Sequence, residues 1–190
     1  MKNKLIVLWI IFLFLFPACT CAEEHAEKQT IQPFVFRNGI TWNSTKEQII
    51  ASDPAIPEED TTDTWFALIY NFVPVSNFTA NHLAYAFTGD QLLSIFYYFD
   101  SLHPSSQEYL ISALESKYGT PISPDTEHLL QLINLIDSFD YTVSDVHNWH
   151  LEDGTCVAFL KTTEDDFSYL FYFNEAAMLE TYGIFNTFGL

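Results

Sequence analysis

The chain has 190 residues, 48% of them hydrophobic and 17% aromatic, a composition that supports one domain with a core and excludes a disordered chain. Its formal net charge of -18 repels phosphate groups, so nucleic acid is a poor partner. Eighteen phenylalanines and ten tyrosines favour strands over helices. Only one of three cysteines, Cys156, follows the first 22 residues, which excludes a disulfide framework in the folded part.

Residues 1–22 have the pattern of an export signal. Lys2 and Lys4 provide a charged start, and residues 5–16 are an uninterrupted apolar run. As a helix this run would be about 18 Å long, which is too short for a hydrocarbon core of about 30 Å. The pattern therefore predicts a signal peptide or lipoprotein leader and not a membrane span.

Two cleavage sites fit the end of this leader. The sequence Phe16-Pro17-Ala18-Cys19 resembles a bacterial lipobox, although its first two residues differ from the usual Leu and Ser or Ala, and cleavage there would place a lipid on Cys19. Thr20-Cys21-Ala22 instead offers small residues to an ordinary signal peptidase, with cleavage before Glu23. We expect an exported protein, and the sequence leaves open whether it is a cell-envelope lipoprotein or a secreted protein.

Without the leader, five basic residues remain against 25 acidic ones, a net charge of -20. Such a chain is weakly attracted to anionic lipid, so we expect membrane attachment only through a lipid anchor. Residues 23–33 are polar and are interpreted as a tether. Residues 34–190 are predicted to form a single α+β domain, an antiparallel sheet with helices packed on it.

The centre of this domain is predicted within residues 83–121. The run LAYAFTGDQLLSIFYYFD indicates two strands joined by a turn at Gly89 and Asp90. The second strand is apolar on both faces, which is typical of a strand covered on both sides. The run SLHPSSQEYLISALESKYGTP then indicates a helix that ends at Gly119 before Pro121.

Two capping boxes, Ser44/Glu47 and Ser105/Glu108, each precede a helix that is followed by antiparallel strands. This arrangement suggests two tandem helix-then-sheet units. The other predicted elements are strands over residues 64–70 and 72–78, a helix over residues 126–138, a loop over residues 139–148, a meander with strands 149–151, 155–161 and 167–173, and a last helix from Asn174 to Tyr182.

The runs FRNGITW, NSTKEQI, LAYAFTGDQLLSIFYYF, LESKYGTP and WHLEDGTCVAFL resemble an uncharacterised family of secreted proteins and lipoproteins of Gram-positive gut bacteria. The resemblance covers most of residues 34–173. At fold level it implies a likeness to β-lactamase inhibitor protein and to the small lipoprotein of the outer-membrane assembly machine. Both of these act by binding other proteins, and no catalytic residue is carried over.

Aromatic side chains on both faces of the predicted strands form the main candidate binding surface, because they offer rigid, amphipathic contact area. The leading prediction is a non-enzymatic envelope protein that binds another protein, as an adaptor or inhibitor does. The alternative is a carbohydrate- or peptidoglycan-binding module that uses these rings as platforms. The candidate binding residues are Trp65, Tyr85, Phe96, Tyr98, Tyr169 and Tyr172.

Other sites are predicted to be absent. His147, His150 and Glu152 are the strongest candidate zinc ligands, but we expect His147 to lie in the preceding loop, away from the other two. Cys156 lies in an apolar strand of an acidic protein, so we expect a core residue and not a nucleophile. Acidic runs at residues 58–63 and 164–166 lack the spacing of a calcium loop. We therefore predict no enzyme activity, metal or cofactor.

Overall fold

The computed structural model describes residues 32–61, 65–122, 129–131, 133, 142–163 and 167–182. Within these residues, seven strands form one antiparallel sheet, which confirms the predicted α+β fold class. Their order across the sheet is β1-β2-β3-β4-β7-β6-β5. The strands are β1 (Glu58–Thr61), β2 (Phe66–Val75), β3 (Phe78–Thr88), β4 (Gln91–Phe99), β5 (Val143–His150), β6 (Thr155–Thr162) and β7 (Ser168–Asn174).

The described helices are a short 3-10 turn at Arg37–Gly39 followed by α1 (Lys46–Ser52), α2 (Pro104–Tyr118) and α3 (Glu175–Tyr182). Residues 129–131 and 133 are also helical and belong to the predicted helix over residues 126–138. The rest of that helix lies outside the described residues.

The elements repeat along the chain in the predicted way. Helix α1 precedes a group of strands that ends in the meander β2-β3-β4, and α2 precedes the meander β5-β6-β7. The two meanders join through their last strands, because β4 pairs antiparallel with β7. Ile49 of α1 and Leu110 and Leu114 of α2 belong to the same core, so both helices pack on the same face of the sheet.

This first face is covered by α1, α2 and the segment of residues 34–42. The segment contributes Phe34, whose ring lies 5.2 Å from Trp42 and 5.4 Å from Tyr172, and Phe36, whose ring lies 6.0 Å from Tyr85. Such close aromatic pairs add to the free energy gained by burying apolar area. The first face is therefore a closed core over most of the sheet.

The second face has its own core. Phe171 and Phe173 of β7 pack there with Ala177 and Met178 of α3 and with the helical residue Ile133. Two covered faces explain why β4 and β7 are apolar at nearly every position, as predicted for β4.

Both helix starts differ from the predictions by one or two residues. The first capping box is formed by Thr45 and Gln48, because Ser44 Oγ already accepts a hydrogen bond from the Thr41 amide in the preceding turn. Helix α2 begins at Pro104 with His103 as its N-cap, so the predicted box at Ser105/Glu108 is wrong. Two other predictions are confirmed: Gly119, with a φ of 87°, ends α2, and Asn174 caps the start of α3, where its Oδ1 accepts from the Ala177 amide.

Two strand predictions were also wrong. Residues 143–148, predicted as loop, belong to β5, an edge strand in which Ser144 and Asp145 are exposed and Asn148 is buried. Strand β2 continues through Pro74, which lies near its end opposite Thr79, so residues 66–75 form one strand. Within this strand Phe72 has a φ of 54°, a conformation that non-glycine residues rarely adopt.

Candidate binding site on the second face of the sheet

Part of the second face, toward the β1 edge of the sheet, borders a cavity of about 290 Å³. Strands β1, β2, β3, β4 and β7 all contribute to it. Antiparallel pairing brings these residues together, since Ala84 lies opposite both Ile69 and Phe96, and Tyr98 lies opposite both His82 and Tyr169. The described lining residues are Glu58, Ile69, His82, Ala84, Phe96, Tyr98 and Tyr169.

Three rings in a row across the sheet form one wall of this cavity. The His82 ring stacks on Tyr98 with centroids 5.6 Å apart and planes at 17°, and the Tyr98 ring lies 5.2 Å from Tyr169. Directly opposed residues on neighbouring strands have close side chains, so the register holds these rings side by side. The wall is therefore rigid, because each ring packs on the next.

A chain of hydrogen bonds sets the direction of the polar groups at the rim. Asn71 Nδ2 donates to Glu58 Oε1 at 2.7 Å, and His82 Nδ1 lies 2.6 Å from Asn71 Oδ1. A carboxylate only accepts, which fixes the Asn71 amide nitrogen toward Glu58 and its oxygen toward His82. The Asn71 oxygen accepts, so His82 Nδ1 donates, and in the neutral form of the ring Nε2 would be an acceptor.

Three of the candidate residues predicted from the sequence lie at this cavity, namely Phe96, Tyr98 and Tyr169. Tyr85 and Tyr172 lie in the first core instead, where burial raises the pKa of each hydroxyl above its ordinary value. Trp65 precedes β2, is partly exposed and is not among the described lining residues. The leader with Cys19 lies outside the described residues.

Glu58, Asn71 and His82 were not recognised in the sequence as members of a site. Glu58 was assigned to an acidic run, yet it belongs to the edge strand β1 and lies opposite Ile69. Asn71 and His82 are partners across the hairpin of β2 and β3. Only the strand register could have brought these three residues together, and that register was not predicted.

Two exposed apolar residues lie next to this rim along the chain. Ile56, 94% exposed, precedes Glu58 by two residues, and Phe72, 76% exposed, directly follows Asn71. Two exposed apolar side chains therefore adjoin, in sequence, the residues Glu58 and Asn71 at the rim of the cavity.

The candidate zinc ligands are separated by the sheet. His147 and His150 occupy opposite faces of β5, with His147 Nε2 3.1 Å from Asp145 Oδ2 and His150 Nδ1 3.9 Å from Glu175 Oε2. Within the described ranges, no group of three or more His, Cys, Asp or Glu side chains is placed to hold a metal ion.

Cys156 is a core residue, as predicted. It is 2% exposed, and burial, with a smaller contribution from Glu175, raises the pKa of its thiol to about 12. The thiol is therefore protonated at neutral pH and is not a nucleophile there. Of the acidic runs, residues 58–61 form β1, while residues 62–63 and 164–166 lie outside the described part of the chain.

In the described parts of the chain, no helix is both long and apolar enough to span a membrane. Comparison with family models, with curated proteins and with solved structures found no match. The resemblance to a secreted Gram-positive family, and the likeness in fold to β-lactamase inhibitor protein, therefore stay predictions.

Proposed function

We propose that this chain is an exported, non-enzymatic protein that binds another protein through the cavity on its second face. The observation that carries the proposal is an aromatic-lined cavity whose rim residues Glu58 and Asn71 are adjoined in sequence by the exposed apolar residues Ile56 and Phe72. Exposed apolar side chains beside a pocket are typical of protein interfaces, where an anchor fills the pocket and neighbouring contacts exclude water.

The charge of the protein supports a basic partner. After the predicted leader the chain has 5 Lys or Arg and 25 Asp or Glu. Three of the basic groups have partners within the protein: Arg37 Nη2 lies 3.3 Å from Asp53 Oδ2, Lys46 lies over the Phe66 ring, and Lys117 lies over the Tyr118 ring. A partner of opposite charge would be attracted over distance and oriented on approach.

Carbohydrate binding is the alternative function, because aromatic rings and hydrogen-bonding groups meet at the cavity. Two observations make it weaker. His82 stacks on one face of the Tyr98 ring, and Tyr169 is only 6% exposed. Neither tyrosine therefore offers the open, flat face on which a sugar ring would lie.

The N-terminal pattern of Lys2, Lys4 and the apolar residues 5–16 supports export. The proposed location is the cell envelope if Cys19 receives a lipid, and the extracellular medium if cleavage occurs before Glu23. In either location the proposed partner is a protein of the envelope or of the surroundings of the cell.

The proposal predicts that capture of the partner depends on the cavity rim. The tagged chain would be used to retrieve bound proteins from the envelope fraction of cells that express it. We expect the pair Ile56→Ser and Phe72→Asn to reduce recovery of a stoichiometric protein at least tenfold, because anchor contacts dominate interface affinity. Asparagine is chosen at position 72 because it tolerates a positive φ.

The matched control is Ile50→Ser, which removes a 40% exposed isoleucine from α1, on the opposite side of the sheet. This variant should retrieve the same protein in the same yield as the unmodified chain. Equal loss in control and rim variants, undiminished capture by the rim variant, or recovery of cell-wall saccharides alone would overturn the proposal.

A further inference from the structure

We infer that the cavity on the second face receives one arginine side chain of the bound protein. This inference rests on the proposed function, because it specifies what the partner inserts. The volume of about 290 Å³ suits a single long side chain. It lies just below the range of about 300–1,000 Å³ typical of pockets that enclose a whole small ligand.

Two polar side chains at the cavity, Glu58 and His82, can accept hydrogen bonds. Glu58 is a carboxylate, and His82 in its neutral form presents Nε2 as an acceptor, because Nδ1 donates to Asn71 Oδ1. The Asn71 amide uses its nitrogen for Glu58 and its oxygen for His82, so it positions both neighbours. These acceptors therefore favour an occupant rich in N–H donors, and the guanidinium group has five.

The apolar lining also fits a guanidinium group. Phe96 and Tyr98 are both partly exposed and line the cavity together with the apolar side chains of Ile69 and Ala84. Arginine packs its planar, weakly hydrated head on aromatic rings, here on Phe96 because His82 already stacks on Tyr98, and its methylene stem packs on apolar surface. A lysine side chain carries the charge but has no planar group that could stack on a ring, so we expect a lysine to bind in the cavity less tightly than an arginine.

The charge around the cavity favours a cation over a neutral or anionic side chain. Glu58 lies at the rim, and the same short strand carries Glu59 and Asp60, all of them exposed. An aromatic pocket with a carboxylate at its mouth concentrates positive charge from solution. A carboxylate can also bind a guanidinium group through two parallel hydrogen bonds, which adds orientation to attraction.

The test uses a defined probe, the capped tripeptide acetyl-Leu-Arg-Leu-amide, added to the full chain and followed by NMR through the ring signals of His82 and Tyr98. The control peptide contains citrulline, a neutral isostere of arginine. We expect the arginine peptide to bind at least tenfold more tightly than the citrulline peptide. We also expect Glu58→Gln to reduce its affinity at least tenfold.

Glu59→Gln is the matched control variant, because Glu59 neighbours Glu58 on β1 and points to the other face of the strand. It should bind the arginine peptide as the unmodified chain does. Equal affinity for both peptides, absence of binding, or equal effects of the two variants would overturn the inference. A different result tests the proposed function: it would be overturned if capture of the partner did not depend on Ile56 and Phe72, whatever the outcome with the peptides.

Discussion

Replacing Trp149 with alanine is expected to lower the free energy of unfolding by about 3–5 kcal/mol. Trp149 lies in β5, is 2% exposed and belongs to the first core, where alanine would leave a cavity of most of an indole ring. The Trp149 Nε1 group also donates to the Gly119 carbonyl at 2.8 Å. The substitution would therefore remove a hydrogen bond between β5 and the end of α2 and would leave a cavity in the first core.

The control is Trp149→Phe, which keeps an aromatic ring but loses the N–H donor. We expect it to cost about 1–3 kcal/mol, since it leaves the Gly119 carbonyl without this donor and reduces the packed area. Urea unfolding followed by far-ultraviolet circular dichroism would measure both variants. A loss below about 1 kcal/mol for the alanine variant would contradict the placement of Trp149 in the core.

Alkaline pH is expected to unfold the protein because buried acidic groups resist ionisation in the native state. Burial raises the pKa of Cys156 to about 12 from an ordinary value of 9.0, and burial likewise raises the pKa values of Tyr85, Tyr97 and Tyr172. When the pH exceeds the unfolded value, the unfolded chain releases protons that the folded chain retains. Stability is therefore complete below about pH 9 and falls as the pH rises.

The thiol of Cys156 alone would contribute a loss of about 3 kcal/mol between pH 9 and pH 12. The tyrosines add to this loss above their ordinary pKa of 10.0. Urea midpoints measured from pH 7 to pH 11 should decline above pH 9, and phenolate absorbance should rise together with unfolding. Titration of all the tyrosines near pH 10 with the native circular dichroism retained would contradict this account.

Cys156→Ala separates the thiol from the tyrosines. The variant should be less stable than the unmodified chain at pH 7, because a buried side chain loses packing contacts. Its decline between pH 9 and pH 10 should be shallower, since the thiol no longer titrates in the unfolded chain. A decline of unchanged steepness over that interval would show that Cys156 does not contribute.

The sequence predicted those parts of the fold that depend on local signals. Gly89 adopts a φ of 58° in the turn between β3 and β4, as the Gly-Asp pair indicated. Gly119 ends α2, because glycine takes a positive φ without strain. Strand β4 lies between two cores, as its two apolar rows indicated.

Features that depend on tertiary context were not predicted. The sequence of β5 lacks the regular alternation of polar and apolar residues that marks a strand. Its pairing with β6 holds these residues in an extended conformation. The first capping box could form at Ser44 or at Thr45, and the hydrogen bond from Thr41 to Ser44 decided between them.

The candidate site was predicted in part for the same reason. Tyr85 and Tyr98 both occupy apolar positions of neighbouring strands, but Tyr85 faces the closed first core and Tyr98 faces the cavity. The alternation of side chains along a strand shows which residues share a face of the sheet, but it does not show which face is covered by other elements. His82 and Asn71 became neighbours of this cavity only through the register of β2 and β3.

The central claim is that another protein contacts the cavity rim. The most direct measurement is photocrosslinking in living cells, with benzoylphenylalanine placed at position 72 in one variant and at position 50 in another. The account predicts one dominant crosslinked protein from position 72, none from position 50, and a weaker product when Glu58→Gln is added. Equal products from both positions, or no product from position 72, would contradict it.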